Sequence, residues 1–366
     1  MANDVYSAPC PCCSAPLRFD GGEGKLRCDS CGNQFEPDVM RQVDEALNQA
    51  AQASELNWQR KDAGEWSRDE QAALKSYTCS SCGAEIVADE TTAATECVYC
   101  GSASILPGQI SGSFRPDAVL PFARTKQDAQ NAYKELIKGK PLLPKLFASE
   151  NRIEKITGVY VPFWKFGCDA DADITYRAER KSVHRSGDYM ITDTDHFLVL
   201  RGGRIGFANV PVDGSSKFED ALMEAIEPFD SHNETAFSTA YLPGYQAERY
   251  DVAAEEAKPR ADERIRQSIT DLFRGTVNGY SSVVTQSSSI RLRHGDVRNV
   301  MMPVWMLNTR WKDKTYTFAM NGQTGRIVGN LPVDAGLAVT WGLGIFLGSF
   351  AVLFAGALAL FAMGVM

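Results

Sequence analysis

Residues 82–101 read CGAEIVADETTAATECVYCG, and with Cys79 just upstream they carry a Cys-x-x-Cys pair at each end. Each pair makes a tight knuckle whose two thiolates face one point. Two knuckles joined by a β-hairpin close a tetrahedral four-sulfur shell, the outline of a zinc ribbon, with sulfurs at about 2.3 Å from the metal. The same pattern occurs once more. Cys-x2-Cys-x14-Cys-x2-Cys fits Cys10, Cys13, Cys28 and Cys31, and then Cys79, Cys82, Cys97 and Cys100. Each member of the second set lies 69 residues after its counterpart (79 − 10). Gly32, Gly83 and Gly101 follow a cysteine, where a knuckle needs positive φ, and Ser14 takes that place in the first copy.

The spacing predicts two structural Zn2+ ions per chain, since four thiolates leave no open coordination position for catalysis. Disulfides fit poorly, because MANDVYSAPCPCC offers neither the basic nor the apolar segment of an export signal. Iron in a tetrahedral sulfur shell stays as an alternative. Cys12 sits inside the first knuckle, where Cys10 and Cys13 give the better spacing, and Cys168 stands apart as a small buried hydrophobe.

Charge narrows what the ribbons meet. Between Cys79 and Gly101 stand Glu85, Asp89, Glu90 and Glu96 and no Lys or Arg. With four thiolates and zinc(II) contributing −2, the second ribbon carries roughly −6. The first sets Arg18, Lys25 and Arg27 against Asp20, Glu23, Asp29 and Glu36, and the whole chain has a formal charge of −8. Neither ribbon has the basic stripe of a nucleic-acid reader, which makes protein the expected partner and nucleic acid an unlikely one.

At 366 residues the chain has room for two or three domains. The expected fold class is α+β: ribbon 1 at 1–36, a helical linker at 37–76, ribbon 2 at 77–106, an α+β domain at 107–333 and a transmembrane anchor at 335–366. Residues 38–60 repeat Val39, Val43, Ala46, Leu47 and Ala50 at helical spacing. Thr125-x-x-Asp128 and Ser216-x-x-Glu219 have the form of capping boxes, and a third helix is expected over Pro259 to Phe273 with Ile265, Ile269 and Leu272 on one face. VYVPFWKF (159–166) and VMMPVWML (300–307) echo each other, each followed by Thr-Tyr, at Thr175-Tyr176 and Thr315-Tyr316. They suggest an internal strand–turn–strand repeat, with Pro162 and Pro303 at matching kinks and Trp164 and Trp305 in the core. Asn321-Gly322 and Thr324-Gly325 supply a turn before a last strand.

No catalytic constellation stands out, so the chain is expected not to be an enzyme. Asp193, Asp195 and His196 cannot share one face of a strand. RGGRIG (201–206) has the look of a hairpin turn, and no nucleophile elbow or phosphate loop is present. KGKPLLPKLF (138–147) reads as a loop with its leucines tucked inward.

After Asp334 the remaining 32 residues (366 − 334) contain no charge. TWGLGIFLGSFAVLFAGALALFAMGVM (340–366) exceeds the roughly 20 apolar residues a membrane span needs, with Trp341 at the near interface. Gly344, Gly348, Ala351, Ala355 and Ala359 form a small-residue stripe that could support self-association. The expectation is a single-pass protein of the cytoplasmic membrane with its N-terminal soluble part in the cytoplasm.

With these parts in place, the chain resembles a bacterial family of tail-anchored membrane proteins carrying tandem TFIIB-type zinc ribbons. The resemblance rests on CGAEIVADETTAATECVYCG, KPLLPKLF (140–147), ITGVYVPFWKF (156–166), MMPVWMLNTRWKDKTYTFAMNGQTGRIVG (301–329) and the apolar end. It implies association with phage-shock protein A and SPFH-domain proteins, and a non-enzymatic adaptor role in envelope stress or membrane organisation. The alternative is a membrane-tethered nucleic-acid-binding protein associated with transcription or replication, as ribbons of this type often are.

Overall fold

The computed structural model describes residues 10–11, 15–41, 58–60, 64, 66–89, 97–102, 105–108, 115–145, 147, 153–312 and 314–362. In chain order the strands are β1 (Leu17–Asp20), β2 (Lys25–Cys28), β3 (Gln34–Phe35), β4 (Gln59–Arg60), β5 (Leu74–Cys79), β6 (Glu85–Asp89), β7 (Ile105–Gly108), β8 (Ala118–Val119), β9 (Thr157–Ser186) and β10 (Tyr189–Asp213). They continue with β11 (Thr235–Ala236), β12 (Gln246–Glu248), β13 (Ser282–Trp311), β14 (Lys314–Asn321) and β15 (Ile327–Gly329). The helices are α1 (Arg68–Ala73), α2 (Lys126–Ile137), α3 (Asp220–Ala225), α4 (Ala254–Gly275) and α5 (Ala335–Ala362). This is the α+β class expected.

The chain divides into two compact units, each built from three stretches: residues 1–62, 164–212 and 254–298, and residues 63–163, 213–253 and 299–366. That division cuts across the continuous 107–333 domain expected from sequence, because β9 and β13 are 30 residues each and supply segments to both units.

In the first unit, β10, β9 and β13 form a twisted face on which α4 lies. Alternation decides which side is buried. Cys168, Ala170, Ala172, Ile174 and Tyr176 pack against Ile265, Ile269 and Phe273 of α4, while Asp169, Asp171 and Asp173 point the other way. On that opposite side Asp171 meets Arg204 at 2.9 Å and Arg293 at 2.8 Å. Ribbon 1 contributes its own small sheet, β1-β2-β3.

The second unit has the strand order β11-β8-β13-β9-β12-β6-β5-β7, with β14 on β13 and β15 on β14. Its core joins Val159, Val161 and Phe163 to Val300, Met302 and Val304. Trp305 packs among Phe122 and Tyr245 and donates its indole N–H to the Arg124 carbonyl at 3.0 Å. Trp164, in the first unit, is fully buried under the Arg60 guanidinium. Both tryptophans are core residues, as expected.

Several sequence expectations change. Residues 37–41 are helical, but Gln59–Arg60 form β4, paired in parallel with Asp296–Val297 of β13. The predicted helix 38–60 therefore does not reach its end, and its residues 42–57 lie outside the described ones. The 37–76 stretch also contains α1 and the start of β5, so it is more than a helical linker. Thr125 caps α2 with a full capping box. Ser216 caps nothing: α3 begins after Glu219, and the Ser216 hydroxyl is held by Asp251 at 2.6 Å. Helix α4 is longer than Pro259–Phe273, and its buried face runs through Phe273, leaving Leu272 56 % exposed. RGGRIG is no turn. It continues β10.

The two echo segments occupy neighbouring strands, and each proline carbonyl accepts a glycine N–H, Gly214 to Pro162 and Gly322 to Pro303, both at 2.8 Å. Past the shared segment the two strands diverge. β13 turns at Lys312 into β14, so Thr315-Tyr316 lies across a hairpin, whereas β9 runs straight on through Thr175-Tyr176.

Candidate metal centres and membrane segment

In ribbon 2 the thiol sulfurs of Cys79, Cys82, Cys97 and Cys100 all lie within 4.8 Å of one another. Cys79 and Cys100 are 3.7 Å apart, and Cys82 and Cys97 are 3.6 Å apart. Sulfurs at about 2.3 Å from a tetrahedral metal stand about 3.8 Å from each other, so the shell fits zinc; a disulfide would need about 2 Å. The knuckles repeat one hydrogen-bond pattern. Cys79 N–H donates to the Ala84 carbonyl at 2.9 Å and Gly83 N–H to the Cys79 carbonyl at 2.8 Å. Cys97, Ser102 and Gly101 reproduce it at 2.7 and 2.9 Å. Gly83 and Gly101 have φ of 70° and 69°, the left-handed region that turns the chain under the metal position.

Ribbon 1 brings together Cys10, Cys28 and Cys31, with 3.6 Å between the sulfurs of Cys10 and Cys31. The same amide pattern recurs, Cys10 to Ala15 at 2.7 Å and Cys28 to Asn33 at 2.8 Å, and the Asn33 side chain donates to the Cys31 sulfur. Cys13, the expected fourth ligand, and Cys12 lie outside the described residues.

The electrostatics prepare the second shell for a cation. Burial opposes ionisation of Cys79, yet the amides of Cys82 and Ser81 aimed at its sulfur bring it down to about 7. Burial pushes Cys97 and Cys82 up. A metal entering this shell would supply the charge that draws the remaining protons off.

Ribbon 2 is not a separate module as the 77–106 boundary implied. Its strand β6 pairs with β12, Val87 opposite Ala247, and β12 pairs in parallel with β9. Cys79 and Cys97 belong to the same core cluster as Val161 and Val300. Three supports escaped the sequence reading. Asn308 donates to the Val98 carbonyl and, at 2.8 Å, to the Tyr99 carbonyl, with its own oxygen fixed by Thr317 at 2.6 Å. Arg249 Nη1 donates to Glu85 Oε2 at 2.8 Å. Glu248, 1 % exposed, accepts from the Ser215 hydroxyl at 2.7 Å and sits beside the buried Tyr99 hydroxyl. None has a local signal, since each acts on a residue distant in the chain.

The other candidates stay apart. His184 contacts Asp193 and His196 contacts Glu179, at 3.3 and 3.7 Å, so Asp193, Asp195 and His196 form no joint site. Cys168 is buried and its thiol is pushed up to about 11 by that burial, an inert core residue. In the 138–147 loop Leu143 and Phe147 are buried, and Leu146 lies outside the described residues.

Helix α5 contains 23 residues, Ala335–Ala357, long and apolar enough to cross a membrane and with none of that stretch buried. At 1.5 Å per residue it measures about 35 Å, against about 30 Å of hydrocarbon. A soluble core helix would be covered, and this one is not. Asp334 caps it, accepting from Gly336 N–H at 2.9 Å and Leu337 N–H at 3.1 Å. The last charge before the apolar stretch is therefore placed at the positive end of the helix dipole.

No protein-family model and no solved structure matches the chain. Among curated proteins it is 36% identical over 349 residues to "Uncharacterized protein YdjG" of Bacillus subtilis (strain 168), a match covering 95% of this chain and 96% of that one.

Proposed function

We propose that this chain, which belongs to the family of Bacillus subtilis YdjG, is a membrane-anchored zinc-ribbon adaptor that recruits protein partners and performs no chemistry of its own. One observation carries the reading: in ribbon 2 four cysteine sulfurs at tetrahedral spacing close on themselves, on a segment with no lysine or arginine between Cys79 and Gly101. A closed shell gives substrate no coordination position, and an acidic surface gives phosphate no counter-charge. The same surface can steer a partner that presents a basic patch. Helix α5 would hold the molecule in the cytoplasmic membrane with the ribbons on the cytoplasmic side, where thiolates stay reduced. A phage-shock protein A or SPFH-domain protein is the partner class that the sequence resemblance implies.

The test is affinity purification of the full-length protein from membranes in mild detergent, with recovered proteins identified by mass spectrometry. Specific recovery of such a partner, absent when α5 alone is used as bait, is the expected result. Recovery no different from the α5 control, together with tight and salt-sensitive binding of duplex DNA, would overturn the adaptor reading.

A further inference from the structure

Strand β13 starts beside Glu179, whose carbonyl accepts from Ser281 N–H at 2.7 Å, and from there β9 and β10 run on as a two-stranded ribbon to the turn at Gly187-Asp188. Every residue from Arg180 to His196 is exposed, Val183, Tyr189, Met190 and Ile191 among them. A two-stranded ribbon is marginally stable in water without further contacts. Its two outer edges differ in character. The outgoing edge carries Arg180, Lys181 and Arg185, cations of the kind that keep another strand away. From Tyr189 to Leu200 the returning edge has no Lys, Arg, Pro or Gly, and Tyr189, Ile191, Thr192 and Thr194 all favour a strand. Among the described residues β10 pairs with β9 alone, so the backbone N–H and C=O groups of its other edge are open to a further strand.

The charges along this edge discriminate between strands that could add to it. Alternation puts Asp193 and Asp195 on one face of β10 together with Tyr189 and Ile191. A parallel copy in register would set each acid against its own counterpart, which is destabilising. An antiparallel copy related by a two-fold axis at Thr192 sets Ile191 opposite Asp193, Tyr189 opposite Asp195 and Asp188 opposite His196. No acid then meets an acid, and a histidine faces an acid at each end.

We propose that a second copy of this chain occupies the edge, β10 pairing antiparallel with the β10 of that copy about Thr192, over residues 188–196. Such a contact is isologous, the commonest form of self-association. It is short, and copies held in one membrane by α5 need less affinity to make it. It does not depend on the adaptor reading.

The test uses full-length protein, co-expressed with two different affinity tags and kept in its membranes. The photoreactive residue p-benzoylphenylalanine placed at Tyr189 should, on illumination, join one copy to the other, and peptide mapping should find the new bond near Asp195. Thr192→Lys and Thr192→Glu each put a like-charged pair on the two-fold axis. Either variant alone should reduce the product recovered through both tags about fivefold, and co-expression of the Lys copy with the Glu copy should restore it. Restoration distinguishes a contact through residue 192 from damage to the fold and from association through α5, which all of these proteins share. The proposal is overturned if the photoreactive group joins to nothing, to lipid or to a different protein instead of a second copy. It is equally overturned if the Lys, Glu and mixed pairs give the same amount of product.

Discussion

Arg249 reaches across from the end of β12 to Glu85 at the start of β6, Nη1 to Oε2 at 2.8 Å, and so one of the four ribbon acids is already neutralised within the molecule. Both side chains are more than a third exposed, which places the pair in the class worth about 0.2–1 kcal/mol. Reversing Glu85 to Lys should lower the melting temperature slightly and leave partner recovery unchanged. Reversing Glu90 and Glu96 together should leave melting and metal content alone and weaken partner recovery. Thermal melts and co-purification of the two variants side by side check this, and equal recovery from both would remove the acids from the docking surface.

Metal content should approach two zinc ions per chain in protein purified under reducing conditions. Cys97→Ser should lose one and unfold the β5–β6 hairpin, because Cys97 shares its core with Val161 and Val300 and metal affinity here is folding free energy. Cys13→Ser should lose the other, whereas Cys12→Ser should lose none. Elemental analysis distinguishes these outcomes, and iron in place of zinc would correct the assignment of the ion. With Cys97 and Cys82 pushed up by burial, zinc uptake must expel protons, so affinity should weaken as pH falls.

Glu248 gives stability a pH dependence of the opposite sense. Burial raises its carboxyl from the ordinary 4.5 to about 8, against the pull of Ser215 and Tyr99. The folded state then binds a proton that the unfolded state has released between those two values. The stabilising contribution is complete below about 4.5 and is lost as pH rises through about 8, at about 1.4 kcal/mol for each unit of separation. With zinc kept saturating, wild-type melting temperature should decline from about pH 5 to about pH 8 and level off above it, and Glu248→Gln, which keeps the acceptor for Ser215, should flatten the curve. Parallel curves for the two proteins would show that the carboxyl is not protonated in the folded state.

Membrane attachment should reside wholly in α5. Full-length protein should resist alkaline carbonate extraction, while a chain ending at Asp334 should be soluble and keep its zinc, since α5 buries none of its apolar stretch against the rest. Aggregation of the shortened chain with loss of metal would mean that the helix covers a protein surface instead.

Legibility in the sequence followed the range of the forces involved. The knuckles were readable because their geometry is set within a few residues, and the same holds for the Thr125 capping box and the charge-free helix. Where a distant partner intervened, local reading failed. The helical period after Val39 gives way by Gln59, because pairing with Asp296 of β13 outweighs the helical preference of a short stretch. Ser216 has the form of a cap, yet Asp251 takes its hydroxyl. Gly202 in RGGRIG suggested a turn. Its actual reason is crowding: a Cβ there would stand 2.6 Å from Asp173 Oδ1, in the charged face of the sheet. Glu248 and Asn308 were invisible for the same reason, since nothing beside them in sequence announces that a metal knuckle will settle on them.

The interleaving of the two units constrains the order in which the molecule can be made. Each unit draws on three separated stretches, and each needs chain from beyond residue 253. During synthesis β9 emerges long before β13, the neighbour that lies against it in the sheet. The first unit closes only at residue 298 and the second only beyond it, so β9 can pair at once with β10 while its other edge waits for residues near 300. Ribbon 1 is the exception: its cysteines and its own β1-β2-β3 sheet lie close together in the chain, so a metal bound there can fix a local fold while the long strands are still incomplete.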